Sequence, residues 1–232
     1  MVNGCNSSFA NPNRRSNLIR RRLILFAKTP IVGQVKTRLI PAIGKHKATE
    51  IYTYLLKRTI DIAEQLPAVE KYLFVSDGEG SRFPDQFFDQ FSNWSVMPQR
   101  GNDIGHRQQN ALEETVVAGV ATVLIGADIM DCTSADLNNA FQVLEQGFDS
   151  VIGPSVDGGY WLVGSGGKSL PIFSDITWSS ARVFSQTRAR LQRNGLSYHC
   201  ITERRDLDEI SDLKRLNLLA EGPPLAAIVV AD

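Results

Sequence analysis

Residues 22–38 read Arg-Leu-Ile-Leu-Phe-Ala-Lys-Thr-Pro-Ile-Val-Gly-Gln-Val-Lys-Thr-Arg. After Arg22, the next five are an unbroken apolar run rich in branched side chains, which is the pattern of a central strand covered on both faces. Three cations (Lys28, Lys36, Arg38) and a permissive glycine (Gly33) follow at once. Working outward, Ala48, Ile51, Tyr52, Leu55, Thr59, Ile62, Ala63 and Leu66 mark one face of a long helix. Residues 71–76, 94–97, 121–126, 150–153, 160–164 and 197–201 read as further strands. Helices are expected over about 104–118, from an N-cap at Ser134, with Asp136 behind it, to 145, over 180–194 with Gly195 closing the helix, and over 210–220. Strands alternating with helices at this spacing predict an α/β fold with a mainly parallel sheet layered between helices.

The chain has 232 residues, 43% of them hydrophobic and 22% charged, enough for one sizeable core. This excludes intrinsic disorder, collagen-like repeats and a disulfide scaffold. Twenty-five bases balance 25 acids, so bulk charge favours neither a nucleic acid nor an acidic membrane as partner. The balance is uneven along the chain: ten bases and no acid precede Glu50, leaving 15 bases against all 25 acids in the rest. Cys5, Cys132 and Cys200 are widely spaced and contain no C-x-x-C pair, so neither a disulfide framework nor a zinc site is expected. With no apolar run of membrane length, the expectation is a soluble, cytoplasmic protein. The organisation expected is a flexible basic tail over 1–21, one domain over 22–220 and a C-terminal tail over 221–232.

In open α/β sheets ligands bind at the carboxyl ends of the strands, so the loops after Ala27, Gln99, Gly126 and Gly153 are the places to look. The first carries Lys28, Gly33, Lys36 and Arg38, a combination suited to phosphate, although it is not a G-x-x-x-x-G-K-[ST] loop. The second contains Asp103, which can cap a helix, and Arg107 with Asn110 on one face of that helix, where a nucleotide could meet them. In the third, Asp128 lies two residues beyond an apolar strand. A carboxylate there is costly unless paired with a cation or a metal, and Mg²⁺ or Mn²⁺ takes one or two carboxylates plus phosphate oxygens. Asp131 reads better as a cap of the next helix. The fourth, Asp157-Gly158-Gly159-Tyr160, is either a plain hairpin turn or a place where a ligand approaches the backbone beside an aromatic ring. Trp178, at a later helix start, either covers that acceptor site or packs in the core.

Together, residues 23–39, 101–107, 123–128, 152–164, 176–183 and 205–213 resemble a bacterial family described as DUF2064, glycosyltransferase-A-like proteins related to the molybdenum-cofactor and phospholactate guanylyltransferases. The resemblance spans about residues 22–219, in order. It implies a GT-A-like three-layer sandwich with a nucleotide-diphosphate-binding half. It also implies a metal-binding acid at Asp128, phosphate contacts at Lys36 and Arg38, and acceptor-side residues around Asp157, Gly158 and Gly159. The chain departs from the family at Ile129-Met130, where the family usually carries Cys-Pro. The expected activity is transfer from a nucleotide-diphospho-sugar with Mg²⁺ or Mn²⁺, Asp157 acting on the acceptor. The alternatives are nucleotidyl transfer from an NTP and nucleotide binding without turnover.

Overall fold

The computed structural model describes residues 20–76 and 86–219. The sequence-derived tails over 1–21 and 221–232 lie outside them, except Arg20 and Arg21. Seven strands form one sheet: β1 (Arg20–Lys28), β2 (Val69–Ser76), β3 (Ser95–Pro98), β4 (Val120–Gly126), β5 (Ser150–Pro154), β6 (Tyr160–Ser165) and β7 (Tyr198–Cys200), in the order β3-β2-β1-β4-β6-β5-β7. The first four run parallel, β6 is antiparallel to β4 and β5, and β7 is again parallel to β5. This is the mainly parallel three-layer α/β sandwich that the strand and helix alternation predicts.

Strand β1 is central because it has no polar face to offer water. Leu23, Leu25 and Ala27 point to one layer, where Tyr52, Leu56 and Ile60 of helix α1 (Ile40–Glu64) and Leu137 and Phe141 of α3 (Ser134–Glu145) cover them. Ile24 and Phe26 point to the other, under Ala111 and Leu112 of α2 (Ile104–Thr115) and Leu191 of α4 (Val183–Arg193). Each fully buried leucine, isoleucine or phenylalanine among them contributes about 1.5–3 kcal/mol. A smaller cluster joins Ile51 and Leu55 of α1 to Leu39, Leu207 and Leu213, seating α5 (Ile210–Leu219) beside the loop after β1.

Several boundaries differ from the periodicity. Helix α1 starts at Ile40, ahead of the apolar stripe, and kinks at Gly44 (φ 77°, ψ 161°), a conformation open to glycine. The N-cap of α3 is Thr133, not Ser134. Its hydroxyl accepts from the Asp136 amide while the Asp136 carboxylate accepts from the Thr133 amide, a reciprocal box that outcompetes a lone serine. Strand β1 begins at Arg20, and its arginines are structural: Arg21 grips Glu145 at 2.6 Å and Arg22 grips Glu70 at 2.8 Å. Cys132 is free and buried, with its thiol pushed up to about 12 first by burial and then by the Asp136 charge. Cys200 is disulfide-bonded, which the cysteine spacing does not anticipate. Among the described residues, no helix is long and apolar enough to cross a membrane.

Candidate active site

A cleft of about 470 Å³ opens at the carboxyl ends of β1, β2, β3 and β4. It gathers four of the cations singled out in the sequence, Lys28, Lys36, Arg38 and Arg107, together with Asp128 and Tyr160. The loop after β1 is shaped by two residues of positive φ, Gly33 (86°) and Lys36 (47°). The left-handed backbone costs a lysine about 1 kcal/mol or more. Here it turns the Lys36 side chain inward until only 4% of it is exposed, with its ammonium 2.6 Å from Asp128 Oδ1 and 2.9 Å from Asp208 Oδ1. Burial alone would lower the ammonium's pKa, but the two facing carboxylates outweigh it, and the net direction is upward. Lys36 is therefore a fixed positive charge. Arg38 is outward and largely exposed, 3.6 Å from Asp208. Tyr52, buried below, clamps the loop: its hydroxyl accepts from the Lys28 amide at 2.6 Å and donates to the Lys28 carbonyl at 3.1 Å. Burial and then the Asp128 charge push this phenol up, so it stays protonated.

Opposite the cations lies an acidic strap whose segment the resemblance includes within 205–213 but whose carboxylates the motif reading did not assign to the site. Residues 202–208 run in extended form across the ends of β4 and β5. They are held by the Arg204 amide on the Pro154 carbonyl, the Val156 amide on the Arg204 carbonyl and the Leu207 amide on the Asp128 carbonyl. Ile129 pairs with Asp206 in a short bridge, so the strap holds the turn after Asp128. The Asp206-Leu207-Asp208 alternation sends Leu207 into the core and both carboxylates into the cleft. That period-two pattern was visible in the sequence and is the signal that would have found them. Asp206 has its carboxyl pushed up to about 7 by burial, then by the Asp157 and Asp128 charges, against a hydrogen bond from Ser155 at 3.1 Å. Asp131 does not cap α3. With Asp136 it receives the Arg204 guanidinium, at 3.0 Å and 2.7 Å, which ties the strap to α3.

The remaining sequence candidates support the cleft from its edges. Asp103 caps α2, accepting from the His106 amide at 2.8 Å and pairing with the His106 ring at 2.7 Å. Asn110 donates to the Arg100 carbonyl and Arg107 Nε to the Gly101 carbonyl, so the two brace one turn. Asp157 is exposed and accepts from the Gly159 amide at 2.9 Å within its own turn, yet lies near enough to act on Asp206. Gly158 (φ 89°) passes so close to the Ala181 backbone that a Cβ would lie 2.3 Å from its carbonyl oxygen. Trp178 packs on Gly105 and meets Tyr160 edge to face. The Tyr160 hydroxyl reaches the Gln108 side-chain carbonyl at 2.5 Å.

Among the described residues, no group of three or more His, Cys, Asp or Glu is arranged to hold a metal by itself. The donors present are hard oxygens, Asp128 with Asp206 and Asp208, crowded enough that like charges add to the burial that raises Asp206. That set fits Mg²⁺ or Mn²⁺ held by one or two carboxylates and completed by phosphate oxygens, not an all-protein cage.

Residues 59–180, just over half of the chain, match the family described as "Uncharacterized protein conserved in bacteria (DUF2064)". No curated protein matches the sequence. Among solved structures, the chain is similar to one from Desulfovibrio desulfuricans G20, provisionally described as a nucleotide-diphospho-sugar transferase. That match has 27% identity and a TM-score of 0.82, over 90% of this chain and 93% of that one. It is also similar in fold to a CMP:2-keto-3-deoxy-manno-octonic acid synthetase complexed with CTP, with 11% identity and a TM-score of 0.55 over 86% and 98%. The inositol-1-phosphate CTP transferase from T. maritima shares the fold at 14% identity and a TM-score of 0.52, over 95% and 98%. The chain belongs to the DUF2064 family.

Proposed function

We propose that this protein is a transferase that binds a nucleotide-diphospho-sugar in the cleft and passes the sugar to a small acceptor. The observation that carries the reading is the juxtaposition, in one 470 Å³ cleft, of Lys28, Lys36, Arg38 and Arg107 with the carboxylates of Asp128, Asp206 and Asp208. A diphosphate bridges such opposed charges when a divalent cation sits on the acidic side. Lys28, which has no carboxylate partner among the described residues, and Arg107 would take phosphate oxygens directly. Lys36, fixed between Asp128 and Asp208, would hold the acidic side in register and neutralise charge on the leaving diphosphate, an effect worth several kcal/mol in a site shielded from water. Mg²⁺ or Mn²⁺ at Asp128 and Asp206 would supply Lewis-acid stabilisation of the same leaving group. Asp157, on the exposed rim, would orient the acceptor hydroxyl or receive its proton. The name carried by the 27%-identical neighbour supports this reading.

A second reading, nucleotidyl transfer from an NTP to a phosphorylated acceptor, is favoured by the CTP transferases among the fold neighbours. The two part on the product. With Mn²⁺, a panel of nucleotide-sugars and NTPs and mixed acceptors, release of nucleoside diphosphate is expected. Pyrophosphate release without any nucleoside diphosphate would replace glycosyl by nucleotidyl transfer. A protein that binds nucleotides and releases neither product is the non-catalytic alternative.

A further inference from the structure

The side-chain amide of Gln99, at the end of β3, faces the cleft on the side away from the acidic strap. Its Nε2 donates twice, to the Ala27 carbonyl at 3.0 Å and the Phe74 carbonyl at 2.9 Å, while its backbone amide donates to Val75. Two backbone carbonyls, at the ends of β1 and β2, accept only from a donor, so the amide cannot flip without setting oxygen against oxygen. Both Nε2 hydrogens are thereby used. No donor among the described residues reaches the Gln99 carbonyl oxygen, which is left as an acceptor of fixed direction on the cleft. Ser76, at the end of β2, lines the same end, and Lys28 on β1 separates it from Asp128, two residues past the end of β4. Strand spacing of about 4.8 Å sets Gln99 two to three strands, roughly 10–14 Å, from the carboxylate that begins the acidic side. A nucleoside whose phosphates lie among Lys28, Lys36 and Asp128 has its base at this end.

We infer that Gln99 reads the nucleobase and selects one that carries an amine on its hydrogen-bonding edge. This rests on the nucleotide reading above. An exocyclic amine projects a hydrogen onto the acceptor. Uracil presents a carbonyl oxygen where cytosine carries its amine, and a fixed acceptor repels that oxygen; hypoxanthine has only a C–H where guanine carries its amine, which leaves the acceptor without a donor. A buried acceptor left facing a ligand acceptor is penalised far more than a missing contact. Titration calorimetry of the full chain with Mg²⁺ and the pairs CTP/UTP and GTP/ITP tests this. In whichever pair the cleft admits, the amine-bearing nucleotide is expected to bind at least tenfold tighter. In Gln99→Met that nucleotide should weaken and the difference should shrink to within about twofold. UTP matching CTP and ITP matching GTP in the unaltered protein would overturn the inference, needing no variant. So would a difference that persists in Gln99→Met. Failure of all four nucleotides to bind refutes the nucleotide reading itself, a distinct result.

Discussion

Replacing Lys36 by methionine removes the charge that joins the two halves of the cleft. Its ammonium touches Asp128 and Asp208 at 2.6 and 2.9 Å. At an effective dielectric near 20, contacts of this length are worth on the order of 5 kcal/mol each before solvation is counted. The two carboxylates are 45% and 41% exposed, so water recovers much of that when the ammonium leaves. Methionine also escapes the cost of burying a charge. A net loss of about 1–3 kcal/mol remains, equivalent to roughly 3–9 °C in Tm for a chain of this size. The loss should be larger at pH 8 than at pH 5, because Asp206, whose carboxyl is pushed up to about 7 first by burial, adds a further negative charge beside Asp128 and Asp208 only at the higher pH. Affinity for a nucleoside diphosphate should fall about 100-fold or more, as expected for losing a buried charge-assisted contact. Lys36→Gly separates backbone from charge: it relieves the positive φ and should be less destabilised than the methionine variant by about 1 kcal/mol. Differential scanning fluorimetry at both pH values and titration calorimetry provide the readings. A Tm within 1 °C of the parent at pH 8, with nucleotide affinity within twofold, would refute the placement of Lys36 at the centre of the site.

Three further outcomes are expected. Asp206 has a folded-state pKa raised to about 7, so its ionisation destabilises the fold progressively as pH rises from about 4 through 7, by a few kcal/mol at most. Asp206→Asn should accordingly be more stable than the parent at pH 8 and indistinguishable from it below pH 4, and a parent-like Tm profile would contradict this. Arg204→Met leaves Asp131 and Asp136 without their shared guanidinium and should cost about 2–3 kcal/mol in urea unfolding; a cost below 0.5 kcal/mol would show that the strap does not need it. Gly105→Ala places a methyl 2.4 Å from the Trp178 ring and should cost about 1–3 kcal/mol while weakening the near-UV signal of Trp178, which an unaltered spectrum would disprove.

The fold was readable because the two central parallel strands, β1 and β4, are almost wholly apolar and buried over 23–27 and 120–125, and each helix carries a 3.6-residue stripe. Helix ends were harder, since the Thr133–Asp136 box and the Gly44 kink depend on backbone angles that a hydrophobic pattern does not encode. At the site, the rule that ligands meet strand ends located Lys28, Lys36, Arg38, Arg107 and Asp128, which the structure places around one cleft. Asp103, Asn110, Gly158 and Trp178 occupy positions where capping, bracing and close packing already account for them. Asp206 and Asp208 come from a segment about 80 residues beyond Asp128, and only the crossing of chain ends at the sheet edge brings them there. Gln99 escaped notice because nothing in its neighbours reveals that two carbonyls will fix its amide.

The strap also bears on how the protein emerges during synthesis. The central strand β1 and the basic loop behind it are made first, yet the partners of Lys36 are Asp128 and Asp208, and the residues that complete the cleft come more than 160 positions after it. Contacts of such long sequence separation form slowly, and an exposed parallel strand invites wrong pairing meanwhile. A nascent chain halted before residue 202 would carry its sheet, its cations and no acidic strap: folded in outline, but without the charge partners that hold the site together.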